Sequence, residues 1–214
     1  MTRPAVHIVD DDPNLYRAMS RLLRTCNCRV QNYSSVSQFL SQRLSPKPAC
    51  LVLDLKMAEI SGLDVQKILS HGDGCLPVIF VSGRADIEAS VRAMKAGAID
   101  FLTKPFEYRQ LASAIDTALT LSEQNLVKRD KLRKDQEAFV SLTPRERDVC
   151  IRIAQGLMNK QVGFELGTKE KTVKQQRARV MQKLGAASLP DVVRFIDRLR
   201  IAGTIPESHH QSHL

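Results

Sequence analysis

No apolar run in this chain of 214 residues approaches the roughly 20 needed to cross a bilayer. The opening "MTRPAVHIVD" lacks a signal-peptide core, because acid arrives within its first ten residues. The five cysteines (Cys26, Cys28, Cys50, Cys75, Cys150) are odd in number and lack a staple-like pattern. Cys26 and Cys28 form only a C-x-C, with no second pair at zinc-site spacing. Buried or half-buried thiols are expected, rather than a disulfide scaffold or a metal site. What is present is ordinary for a globular protein: 43% hydrophobic and 26% charged residues, in a chain long enough for two small cores. The expectation is a cytoplasmic protein with no membrane contact.

Net charge is +9, unevenly spread. Residues 1–120 hold 14 Lys and Arg against 12 Asp and Glu, whereas residues 121–214 hold 18 against 11. The excess of cation in the second part suggests that it meets a polyanion.

The first 120 residues alternate short apolar runs with helical periodicity. The runs "AVHIVD", "CRVQNY", "CLVLD", "PVIFVS" and "AIDFLT" read as strands rich in Val, Ile and Leu. Between them Leu15, Met19, Leu22 and Leu23 recur at helical spacing, as do Ile87, Val91 and Met94, and Leu111, Ile115 and Leu119. Five βα units in succession predict a five-stranded parallel, doubly wound sheet. Functional groups then gather beyond the carboxyl ends of the strands. Those ends deliver Asp10 and Asp11, Asp54, Ser82 and Lys104 to a single rim.

Residues 121–140 carry many charges and neither Gly nor Pro, and read as a solvent-exposed helical linker. A second domain is expected over 141–205, with a flexible tail at 206–214. It opens with Thr143 as N-cap, Pro144 in the first helical position and Glu146 completing a capping box. Gly156 stops that helix. A second helix runs from Asn159 to Leu166, a third from about Lys169 to Leu184, and a fourth follows Ser188. The tight joint at Gly167 makes the middle pair a helix-turn-helix. The terminal "ESHHQSHL" reads as tail rather than as a metal site through His209, His210 and His213.

The cluster "DDD" at Asp10, Asp11 and Asp12 needs a reason, since adjacent carboxylates repel. Asp10 and Asp11 suit an oxygen-loving divalent cation, Mg²⁺ with Mn²⁺ as a substitute, while Asp12 before Pro13 suits the start of a helix. Asp54, alone at its strand end, is the candidate nucleophile toward a phosphoryl group. Lys104 can bind a phosphoryl oxygen as a point charge and Ser82 can donate to another.

With those residues in place, "IVDDD", "LVLDLKM…SGLD", "PVIFVSG" and "AGAIDFLTKPF" resemble the receiver domain of two-component response regulators over residues 5–120. "LTPRERDVCIRIAQGLMNKQVGFELGTKEKTVKQQRARVMQKLG" resembles the LuxR-type helix-turn-helix domain, and the pairing is that of the NarL/FixJ class. The resemblance implies that Asp54 accepts phosphoryl from a sensor histidine kinase. It implies that Asp11, Asp54 and the main-chain carbonyl of Lys56 hold Mg²⁺, with Asp10 acting through water. Ser82 takes the place of the switch hydroxyl, Phe101 of the switch aromatic and Lys104 of the phosphate-binding lysine. Such domains commonly hold the bond corresponding to Lys104–Pro105 in cis. The implied protein is a regulator that catalyses only its own phosphorylation and dephosphorylation. It dimerises when phosphorylated, binds double-stranded promoter DNA and has RNA polymerase as a partner.

The third helix of the second domain is basic, with Lys169, Lys171, Lys174, Arg177, Arg179 and Lys183 against Glu170. Family geometry turns Lys174, Gln175 and Ala178 toward bases and Lys171, Arg177 and Lys183 toward phosphates, with Thr172 completing the set. Departures from the family pattern include Ala58 in the loop after Asp54, Gly163 where Ala is usual, expected to weaken its helix slightly, and Gln176 where His is common. An aspartyl-nucleophile phosphatase is the enzyme alternative, but the position of its general acid holds Lys56. A receiver whose output is protein contact is the third reading, opposed by the helix-turn-helix signature. Lys56 and Arg84, two residues past Asp54 and Ser82, are expected to overhang the phosphoryl group and slow its hydrolysis.

Overall fold

Short, nearly continuous apolar runs suit parallel strands covered on both faces, and five of them form one sheet: β1 (Ala5–Val9), β2 (Arg29–Tyr33), β3 (Ala49–Asp54), β4 (Val78–Ser82) and β5 (Asp100–Thr103). The structure is a computed structural model and describes residues 3–23, 28–42, 46–55, 76–83 and 87–206. All pairings are parallel, in the order β2-β1-β3-β4-β5. Val6, Ile8, Cys50, Val52, Ile79 and Val81 face one layer, where Met19 and Leu23 of helix α1 (Pro13–Leu23) pack with Leu111 and Ile115 of helix α4 (Tyr108–Ser141). Val9, Leu51, Leu53 and Phe80 face the other, against Val36 and Phe39 of α2 (Val36–Leu40) and Ala93 of α3 (Ile87–Lys95).

The stripe of Ile87, Val91 and Met94 does mark a helix, but its residues are 80%, 45% and 47% exposed. The buried positions of α3 are Ala89 and Ala93. Small side chains let the helix lie close to the sheet, and the larger apolar ones are left outside.

The chain divides into two compact units, residues 1–129 and 130–214. The expected linker is no separate element. It continues α4, a single helix of 34 residues. Near its middle the Ser122 hydroxyl accepts the Ala49 N–H at 3.0 Å, tying the helix to the start of β3. Its last turns belong to the second core, where Phe139 is buried and Leu132 packs. Arg198 bonds Asp135 at 2.6 Å, and Arg147 donates to the carbonyls of Phe139 and Val140 at 3.2 and 2.7 Å. Arg147 thereby satisfies carbonyls that the end of a helix would leave bare.

The second unit continues with α5 (Pro144–Ala154), α6 (Asn159–Glu165), α7 (Glu170–Leu184) and α8 (Leu189–Ile201). The Thr143–Glu146 capping box starts α5, and Gly185, at φ 60°, ends α7 in the left-handed region. Gly163 has a steric role: a Cβ there would lie 2.8 Å from the Thr168 carbonyl oxygen, which is backbone and cannot yield cheaply. The Thr168 N–H donates to the Gly163 carbonyl at 2.8 Å, closing the joint between α6 and α7. Among the described residues no helix is long and apolar enough to cross a membrane.

Candidate functional site

The strand order reverses between β1 and β3, where Val9 pairs with Leu53. Asp10 follows the first of these strands and Asp54 ends the second, so adjacency in the sheet brings two carboxylates together at the switch point. Both are buried, with relative exposures of 2% and 5%. Lys104, just beyond β5, reaches across: its Nζ donates to Asp10 Oδ2 at 2.6 Å and to Asp54 Oδ2 at 2.7 Å. The backbone holds it there, because the Lys104 N–H donates to the Ser82 carbonyl at 2.7 Å. Lys104–Pro105 is cis.

Asp10 is oriented from its other side too. The Asp12 N–H donates to Asp10 Oδ1 at 2.8 Å, and Asp12 Oδ1 accepts the Asn14 N–H at 2.8 Å, so Asp12 opens α1 as expected. Burial pushes the Asp10 carboxyl above its ordinary value, with the bonds from Lys104 and Asp12 working against it. Burial draws the Lys104 ammonium down, but its bonds to Asp10 and Asp54 prevail and its pKa stands above the usual lysine value. One cation thus keeps two carboxylates side by side.

Asp11 is exposed beside Asp10. Ser82 is buried at the end of β4. Phe101 is half-buried, packed against the layer that contains Leu53 and Phe80. Lys56, Ala58 and Arg84 lie outside the described residues, as do Cys26, Cys75 and the tail histidines. Among the described residues no three His, Cys, Asp or Glu side chains are grouped so as to hold a metal ion. Asp10, Asp11 and Asp54 are nonetheless hard oxygen donors of the kind Mg²⁺ prefers.

On α7, Lys171, Lys174, Gln175 and Ala178 are exposed, at the spacing of one helix face. Val173 and Val180 are buried on the opposite side. Thr172 and Arg177 are half-buried, and Arg177 reaches Asn159 Oδ1 at 3.4 Å. Lys183, expected at a phosphate, is already engaged: its ammonium donates to Glu146 Oε2 at 2.6 Å and to the Ser141 carbonyl at 3.4 Å. The bond from Lys183 holds the Glu146 carboxyl below its ordinary pKa, helped by the Thr143 N–H. No local signal in the sequence reveals this pair, because its members are 37 positions apart.

Comparison with known proteins shows the family of each unit. The response regulator receiver domain family matches residues 6–116, and the bacterial regulatory proteins of the luxR family match residues 140–196. The chain is similar to the response regulator protein TmoT of Ectopseudomonas mendocina, 42% identical over 91% of this chain and 89% of that one. It is also similar to the transcriptional regulatory protein FixJ of Azorhizobium caulinodans, 34% identical over 94% of each chain. Among solved structures it resembles the response regulator StyR, with a TM-score of 0.76 at 40% identity, over 92% of this chain and all of that one. The chain belongs to the two-component response regulators that join a receiver domain to a LuxR-type DNA-binding domain.

Proposed function

We propose that a sensor histidine kinase transfers a phosphoryl group to Asp54, and that this modification controls binding of the second unit to promoter DNA. The observation that carries the reading is the single ammonium of Lys104 bridging Asp10 and Asp54 at 2.6 and 2.7 Å. It offsets one of the pair's two negative charges before reaction and is poised to take a phosphoryl oxygen afterwards. Asp10, Asp11, Asp54 and the Lys56 carbonyl are the residues that would hold Mg²⁺, which when bound offsets the negative charge of the incoming group. Catalysis extends only to the chain's own phosphorylation and dephosphorylation.

A phosphoryl group adds close to two negative charges. Ser82 then donates to it and Phe101 turns inward, and the face bearing α3 and β5 shifts toward a dimerising arrangement. The exposed Ile87, Val91 and Met94 supply apolar surface for that contact. In the second unit, Lys174, Gln175 and Ala178 read bases, while Lys171, Thr172 and Arg177 fix the position on the backbone. RNA polymerase is the downstream partner, and the protein works in the cytoplasm. Mass spectrometry after exposure to a small phosphodonor and Mg²⁺ tests the assignment. One phosphoryl group is expected on the wild type and none on Asp54→Asn; full modification of the variant would refute it.

A further inference from the structure

The joint between α6 and α7 is built from backbone, and one position sets how far it can close. A Cβ on Gly163 would meet the Thr168 carbonyl oxygen at 2.8 Å, the Glu170 nitrogen at 3.5 Å and the Glu170 Cα at 3.7 Å. Glu170 is the first residue of α7, so the start of that helix lies against the spot where a side chain would be. The Thr168 N–H donates to the Gly163 carbonyl at 2.8 Å. Arg145 of α5, half-buried, donates to the Leu166 carbonyl and so holds the end of α6. The Lys169 side chain does not cap α7. The start of the helix is placed by the joint rather than by a cap of its own.

The residues assigned to DNA follow at once, with Lys171, Lys174, Gln175 and Ala178 exposed along the first turns of α7. In helix-turn-helix proteins this end of the recognition helix meets base edges. With alanine at 163, the Thr168 carbonyl would have to retreat by roughly 0.6 Å to reach 3.4 Å, where ordinary contact begins. The start of α7 would move with it, because the obstructing atoms are backbone. Good N–H···O distances span only about 2.7–3.2 Å, so a shift of this size spoils a paired hydrogen bond to a base edge. A lysine ammonium on its flexible stem keeps its attraction to a phosphate through such a shift. We propose that Gly163, with Arg145, is a positioning residue for base recognition: the close joint fixes α7 and thereby the duplex sequence this chain prefers. The inference rests on the reading of α7 as the recognition helix.

Full-length wild type, Gly163→Ala and Arg145→Met are each treated with a small phosphodonor and Mg²⁺. They are titrated with the duplex that the wild type selects from a random library, and with a scrambled duplex of the same length and composition. Thermal melting of the second unit is followed alongside. Both variants should bind the selected duplex about tenfold more weakly, the scale of one mismatched base pair. Affinity for the scrambled duplex, and its salt dependence, should not change. Selection repeated with Gly163→Ala should return a different preferred sequence. A role confined to α6 predicts otherwise, because alanine is the better helix former: the variant would melt higher and keep the wild-type preference. That result overturns the proposal, and so does an equal loss on both duplexes, which marks a damaged fold. If Gly163→Ala does not fold, Arg145→Met decides, and an unchanged ratio of its two affinities overturns the proposal. A wild type that prefers no duplex overturns the reading of α7 as the recognition helix, and this inference with it.

Discussion

Lys104 Nζ lies 2.7 Å from Asp54 Oδ2, although 50 residues separate the two in sequence. Removing that ammonium leaves two buried carboxylates facing each other, which costs more than the lost hydrogen bonds alone. Lys104→Ala should therefore lower the melting temperature of the N-terminal unit in EDTA, by an amount corresponding to roughly 1–3 kcal/mol. Mg²⁺ should recover more of the loss than it adds to the wild type. Equal melting temperatures for variant and wild type in EDTA would show that the bridge does not hold the pair.

Acid should weaken the same unit through a different residue. His7 is buried on β1, its Nδ1 is 3.0 Å from the Tyr33 hydroxyl, and its ring packs against Phe39 at 5.5 Å. Burial lowers its pKa from 6.5 to about 4. The unfolded chain binds the proton more readily, so the neutral ring's contribution is present above pH 6.5 and is lost progressively as pH falls toward 4. That loss amounts to ~3 kcal/mol across the window. Denaturant titrations at stepped pH should show a flatter profile for the double variant His7→Phe/Tyr33→Phe, which removes both polar partners.

Lys183 and Lys174 lie on one helix and should behave differently. Lys174→Gln should reduce the slope of log affinity against log salt by about one, as a DNA contact does. Lys183→Gln should leave the slope unchanged and instead lower the thermal stability of the second unit, because it strips Glu146 of its partner. The stabilisation from Glu146 is present above the ordinary carboxylate range and lost as pH falls through its lowered pKa. A reduced slope for Lys183→Gln would return that residue to the DNA interface.

Where the second domain begins is also testable. A fragment of residues 130–206 retains Leu132, Asp135 and Phe139, whereas one of residues 141–206 loses a buried aromatic and the Asp135–Arg198 pair. The shorter fragment should be less stable by roughly 3–5 kcal/mol, the cost of emptying one Phe site. Chemical denaturation of the two fragments decides it, and equal stability would restore the boundary near 141.

Much of this was legible because it is local. Short apolar runs rich in Val, Ile or Leu marked all five strands, and the carboxylates lay at their ends, so the rim followed from topology. The Thr143–Glu146 box and Gly185 marked helix ends through chemistry confined to a few residues. What escaped depends on distance or on close packing. Ile87, Val91 and Met94 marked α3 but not its buried face, since Ala89 and Ala93 carry no strong hydropathy signal. The end of α4 looked like a solvated linker because the partners of Asp135 and Phe139 come from α8, some 60 residues on. Gly163 looked like a weak point in its helix until Thr168 was seen to pass where a Cβ would sit.

The central claim is that chemistry at Asp54 governs DNA binding. Its most direct test is the affinity of full-length protein for genomic duplex fragments, measured with and without a small phosphodonor and Mg²⁺. The wild type should bind its preferred fragments roughly tenfold more tightly with the donor, a coupling of ordinary size, while Asp54→Asn should not respond. A wild type indifferent to the donor, or an Asp54→Asn protein that responds as the wild type does, would contradict the account.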